Sequence, residues 1–163
     1  MLIKRIGFAM MAVSIMLTAG CGLKLQGSYS IPQELQTMSL TSQDKYSKLT
    51  RLVHERMQLN NISIVDLNQS KPRLNLISDS LERSTLSFYP SGNVAEYELM
   101  YHVNFTIQLP NQEAKPFQVE IRRDYLDDPR TALAKSREMN LLVNEMRIQA
   151  ADRIVQTIAA FKQ

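Results

Sequence analysis

Few side chains in this sequence could do chemistry, and the one in the most specific setting is Cys21. It is the only cysteine and closes the run Leu17-Thr18-Ala19-Gly20-Cys21. Ahead of it, Lys4 and Arg5 are followed by 12 uncharged residues, 6–17. A basic start, a short apolar run and small residues before a cut make a secretory leader. Twelve residues fall short of the roughly 20 that span a bilayer. The other reactive groups are scattered. His54 falls in a helical pattern and His102 in a strand, neither with a carboxylate at ligand spacing, so both read as surface residues. Glu96 and Glu98 share the wet side of one strand, where two carboxylates could do acid–base work. A solvated strand face accounts for them more simply. Asp127 and Asp128 suit a helix cap better than a metal. No H-E-x-x-H, P-loop or G-x-S-x-G motif is present. The expectation is a protein that is not an enzyme and uses no metal or cofactor.

A leader that ends at a lone cysteine resembles the lipobox of bacterial lipoproteins, in which the thiol is acylated and becomes the first mature residue. Leucine is usual three residues before that cysteine; here Leu17 stands four before it. Gly22, rather than Asp, follows the cysteine, which implies the outer membrane. The other reading of the thiol is a free cysteine on an ordinary secreted chain. Removing residues 1–20 from the 163 leaves 143, the size of one domain. A chain of that length can bury a core without disulfides. Lys4 and Arg5 leave with the leader, so 19 basic residues become 17 against 16 acidic ones. That near balance argues against a broad nucleic-acid surface. One acyl chain holds weakly, so stable anchoring takes more than one.

The elements follow from periodicity. Residues 21–30 read as a tether and 31–163 as a single domain. Residues 35–40 alternate weakly as a first strand. Residues 48–60 are helical, with Leu49, Leu52, Val53 and Met57 on one face. Ser47 is the expected cap, and Asn60-Asn61 the left-handed stop. Residues 62–67 give a second strand, and the three elements suit a βαβ unit. Leu74, Leu76, Leu86 and Phe88 share a parity around a polar stretch, 78–84, that reads as a bulge or an exposed segment. Pro90-Ser91-Gly92-Asn93 is a turn. From 95 to 109 every odd residue is apolar or aromatic, while the even ones are mostly polar, so one face is buried and one wet. A loop over 110–116 leads to a hairpin partner in which Phe117, Val119 and Ile121 alternate with polar residues.

Asp128, followed by Pro129, opens a helix predicted to run from 129 to 161. Met139, Leu142, Val143, Met146, Ala150, Ile154, Ile158 and Phe161 form its core face. Leu141, Ile148 and Val155 form a thinner line on nearly the opposite side, either scattered surface residues or a stripe for a partner. The fold class is α+β, with two helices packed on one face of a four- to five-stranded mixed sheet and the other face polar.

Several segments taken together resemble one family. They are Thr18-Ala19-Gly20-Cys21-Gly22, the stretch from Leu49-Thr50-Arg51-Leu52-Val53 to Leu59-Asn60-Asn61, Ala95-Glu96-Tyr97, Asp128-Pro129 with Ala132-Leu133-Ala134-Lys135, and Glu145-Met146-Arg147 with Ala150-Ala151. In this order they are similar to the lipopolysaccharide-assembly lipoproteins LptE, also called RlpB. The resemblance implies an outer-membrane lipoprotein, anchored by acyl lipid on Cys21, that plugs the β-barrel LptD one-to-one and helps it assemble. It also implies binding of lipopolysaccharide and a part in its insertion into the outer leaflet. For the barrel, the candidate contacts are Glu96, Glu98, Leu141, Ile148 and Val155. For lipopolysaccharide phosphates, Lys135 near a helix N-terminus is the first candidate. Arg130 and Arg137 are next to it in sequence, and Ser91, Gly92 and Asn93 occupy the turn where members often place a basic residue. The competing reading is a free-standing periplasmic lipid carrier or envelope scaffold.

Overall fold

The computed structural model describes residues 29–161; Cys21 and the leader lie outside them. A 3-10 turn, Gln33–Leu35, leads into strand β1, Thr37–Ser42. Helix α1 is Lys48–Leu59, and β2 is the short Ser63–Val65. Three long strands follow: β3 Arg73–Phe88, β4 Val94–Gln108 and β5 Lys115–Leu126. After a 3-10 turn, Pro129–Thr131, helix α2 runs Ala132–Ala160. The sheet order is β2-β1-β3-β4-β5. β1 lies parallel to both β2 and β3, and β3, β4 and β5 form an antiparallel meander. This is the expected α+β arrangement, two helices with a five-stranded mixed sheet.

Each element has a local cause. The Ser47 hydroxyl accepts from the Thr50 N–H at 3.0 Å, which caps α1. Asn61 takes φ 60° and turns the chain out of the helix. The Asn60 side chain donates to the Arg56 carbonyl at 2.9 Å and accepts from the Tyr29 N–H at 3.0 Å. The Tyr29 hydroxyl accepts from Gln156 at 2.5 Å. Tyr29, assigned from sequence to the tether, is therefore held by the ends of both helices.

The odd residues of β4 are the centre of the core. Leu99, Tyr101, Val103, Phe105 and Ile107 are buried, with Leu49, Val53 and Met57 of α1 and Met146, Ile154 and Ile158 of α2 in the same cluster. Phe105 stacks on Phe117 with ring centroids 5.6 Å apart, and Phe161 meets Phe117 edge-on at 6.0 Å. The polar stretch 78–84 is not a break but part of β3. The register slips once between Leu76 and Ser78, where Ile77 is the extra residue, and again around Leu86. β1 pairs only with Arg73, Leu74, Asn75 and Leu76 of β3. From Ile77 onward, among the described residues, that edge of β3 has no strand neighbour.

Several boundaries shift: β1, expected over 35–40, runs Thr37–Ser42 because a 3-10 turn occupies Gln33–Leu35, and β2, expected over 62–67, is only Ser63–Val65. The long helix starts at Ala132 rather than at Pro129, because a 3-10 turn comes first, capped by the Asp128 carboxylate accepting from the Arg130 N–H at 3.0 Å. β5 starts at Lys115, inside the predicted loop, because β4 extends far enough to pair Ile107 with Lys115. The second stripe of α2 also divides. Leu141 is 65% exposed and Ile148 half-buried, but Val155 is fully buried, 0% exposed. One turn before Val155, Asp152 pairs with Arg56 of α1 at 3.1 Å. This side of the helix is covered by α1, so Val155 is a core residue and not a partner contact.

Candidate functional site

The open face of the sheet is a row of charged and polar side chains set by the β3–β4–β5 register. Glu98 stands opposite Asp124 and one step along from Arg122, whose Nη1 lies 3.3 Å from both Glu98 carboxylate oxygens. Arg122 also pairs with Glu120. These two carboxylates, Glu120 first, raise the Arg122 guanidinium above its ordinary value. His102 sits between strands: its Nδ1 is 3.3 Å from Glu120 and its Nε2 4.0 Å from Glu82. Glu96 accepts from the Ser87 hydroxyl at 2.7 Å. Each of the candidates Glu96 and Glu98 is thus engaged by a neighbour in a surface network. The bracketing of His102 is a feature the linear spacing could not show, because its two carboxylates come from two other strands.

The candidates for anion binding gather at one end of the molecule. Tyr89 donates its hydroxyl to the Asp127 carbonyl at 3.0 Å, which ties the β3–β4 turn to the segment before α2. Within the turn, the Gly92 N–H donates to the Tyr89 carbonyl at 2.9 Å, and Gly92 adopts φ +88°, a conformation that favours glycine. Asn93 donates to the Ser91 hydroxyl at 3.4 Å. Arg130 is 88% exposed but grips Asp128 through Nε and Nη2 at 3.0 and 3.1 Å. That hydrogen bond holds the Asp128 carboxyl below its ordinary value.

Lys135 is not the free cation that its sequence setting suggests. Its side chain is only 16% exposed, with Nζ 2.8 Å from Glu138 and 5.2 Å from the centroid of the Tyr125 ring. The Tyr125 hydroxyl in turn donates to the Lys135 carbonyl at 3.0 Å. The Glu138 partner raises the Lys135 ammonium above its ordinary value, so the group is firmly charged. On β4, Tyr97 is the direct cross-strand neighbour of Tyr125, and the Arg83 guanidinium lies 4.3 Å from the Tyr97 ring centroid. Two adjacent rings therefore each carry a cation. Arg83 is a neighbour of this site that sequence reasoning missed; only the β3–β4 register reveals it. Arg137 is exposed on α2. Among the described residues, no group of three or more His, Cys, Asp and Glu could hold a metal, and no helix is long and apolar enough to cross a membrane.

Comparison with known proteins agrees with this architecture. The family described as LptE: Lipopolysaccharide-assembly matches residues 35–158, from the turn before β1 almost to the end of α2. A relative from Yersinia enterocolitica, named LPS-assembly lipoprotein LptE, is 38% identical over 156 residues, covering 94% of this chain and 75% of its own. The Yersinia pestis protein of the same name is 37% identical with the same coverage. Among solved structures, the rare lipoprotein B of Shewanella oneidensis is 68% identical, with a TM-score of 0.72, over 76% of this chain and 94% of that one. An uncharacterized lipoprotein B from Nitrosomonas europaea shares the fold at 20% identity and a TM-score of 0.67, over 86% of this chain and 92% of that one. The chain belongs to the LptE lipopolysaccharide-assembly family.

Proposed function

We propose that this chain is an outer-membrane lipoprotein, acylated on Cys21, that plugs the LptD β-barrel and helps it assemble. In the same reading it binds lipopolysaccharide and takes part in its insertion into the outer leaflet. The observation that supports this best is the family match over nearly the whole folded part. The open sheet face is consistent with it. A wide barrel has a polar lumen, and a plug needs a surface that can exchange hydrogen bonds with that wall. Glu96 and Glu98 lie on that face, and Leu141 and Ile148 add apolar contact on α2. Lipopolysaccharide phosphates would meet the end where Lys135, Arg130 and the turn with Ser91, Gly92 and Asn93 converge, with Arg137 farther along the helix. Charge-assisted hydrogen bonds to phosphate are the relevant interaction.

The test is a pull-down of the tagged lipoprotein from outer membranes in mild detergent. A stable one-to-one complex with a large barrel is expected. Recovery as a monomer with bound lipid would instead favour a free-standing carrier. In the recovered complex, Lys135→Glu should lower lipopolysaccharide capture several-fold while barrel recovery stays unchanged. Equal capture by wild type and variant would remove Lys135 from the site.

A further inference from the structure

A second basic region lies far from Lys135. An open cleft of about 960 Å³ is bounded by α1, β5 and the C-terminal half of α2, and four arginines line it against two carboxylates, Glu120 and Asp152. Two of the arginines are already neutralised: Arg56 pairs with Asp152 at 3.1 Å, and Arg122 pairs with Glu120 and Glu98. The other two are not. Arg123 donates to the neutral amide of Gln149 at 2.7 Å, and Arg153 to that of Gln156 at 3.3 Å. Neither bond consumes positive charge, and both hold a guanidinium at the cleft. Arg153 is 18 residues beyond Lys135 on one helix, about 27 Å at 1.5 Å per residue.

The position of this cleft relative to the chain gives it a partner. Tyr29 is one of its walls, fixed there by Asn60 and Gln156. Cys21 is eight residues earlier. Eight extended residues reach at most about 28 Å. If Cys21 is acylated, as proposed above, the lipid headgroups are within reach of the cleft. We propose that this cleft docks on anionic phospholipid headgroups of the leaflet that holds the Cys21 lipid, through Arg123 and Arg153. The contact keeps the Tyr29 end of the domain at headgroup level, outside the barrel lumen that the rest of the domain would fill. It leaves the Lys135 end pointing away, free for a different anion. The inference rests on the anchor reading, and the experiment separates the two.

The experiment is flotation of the mature chain, residues 21–163, with vesicles. The Cys21→Ser chain, which has no lipid, is mixed with vesicles of phosphatidylethanolamine and phosphatidylglycerol or of phosphatidylcholine alone. Binding is expected only to the anionic vesicles, and it should fall steeply with added salt. A basic side chain near an anionic surface is worth about a fivefold change in partitioning. Arg123→Gln with Arg153→Gln should therefore weaken binding about 25-fold, while Lys48→Gln, at the far end of α1 and outside the cleft, leaves it unchanged. Equal binding by the double variant and the wild-type cleft would overturn the proposal, as would equal binding to both vesicle types. Displacement by millimolar inorganic phosphate at constant ionic strength would show a site for free anions and overturn the headgroup assignment. The chain with Cys21 intact, recovered from membranes, tests the anchor separately: its failure to float with phosphatidylcholine vesicles would count against lipidation at Cys21 and not against the cleft.

Discussion

At the scale of single residues, charge and burial meet at Tyr101. Its ring is in the core, yet its hydroxyl emerges far enough to donate to Asp79 at 2.5 Å, and Arg147 lies 5.7 Å from the ring centroid. Burial, and then the Asp79 carboxylate, raise the phenol well above its ordinary value of 10.0. The folded chain therefore keeps a proton that the unfolded chain releases above pH 10. A raised value contributes stability that is complete below pH 10 and is lost as pH rises. The expected slope attributable to this group is at most about 1.4 kcal/mol per pH unit. Denaturant titrations at pH 9, 10 and 11 should show it in the wild type. Tyr101→Phe should cost about 1 kcal/mol at pH 8 and flatten the alkaline slope. An unchanged slope in the variant would assign the loss to other groups.

At the scale of elements, α2 has two sides with opposite fates, and the difference gives a paired prediction. Val155→Ala removes buried methyl groups and leaves a void, at an expected cost of about 2 kcal/mol in denaturant unfolding. Leu141→Ala, on a side chain 65% exposed, should stay within about 0.5 kcal/mol. If the stripe reaches a partner, Leu141→Glu should weaken complex recovery while the unfolding midpoint holds. The same helix shows what was legible in the sequence. Strand β4 could be read because its alternation is a property of one strand facing one core. The end of α2 could not, because Val155 is buried by α1, an element about a hundred residues earlier, and a linear stripe carries no record of it. The continuity of β3 was equally hidden. Its polar residues 78–84 have no core to face, so nothing in their own pattern separates a strand from a loop; the pairing with β4 decides it. The site divides in the same way. Ser91, Gly92, Asn93, Arg130 and Lys135 could be placed on a turn and at a helix start because those signals are local, while their part in anion binding was carried over from the family resemblance. Their internal partners, and the neighbours Arg83 and His102, depend on strand register. So does the arginine cleft, whose walls come from three elements and a residue at the chain's point of arrival.

At the scale of the whole molecule, the unusual feature is an uncovered strand edge. Among the described residues, one side of β3 beyond Leu76 has no strand beside it, and Ile77, Leu81, Leu86 and Phe88 are 44%, 42%, 51% and 64% exposed along that stretch. Unpaired N–H and C=O groups beside apolar side chains invite pairing with another chain. Some protection is built in. Register slips at Ile77 and Leu86 bend the strand, and Asp79, Glu82 and Arg83 place charges between them. The central residue, Leu81, has no such charge. The mature chain alone should therefore self-associate slowly at high concentration, and Leu81→Lys should suppress this without lowering the unfolding midpoint, because the residue contributes little to the core. Light scattering over days, with thermal unfolding as the control, measures both. Aggregation unaffected by Leu81→Lys would locate the sticky surface elsewhere, the first alternative being the exposed Leu133 and Leu141 on α2. Suppression would mean that β3 needs a cover in the cell, and the same variant could then be scored for recovery with the barrel. A loss of recovery would place the barrel on that edge, whereas full recovery would mean that bends and charges are the only protection the edge has.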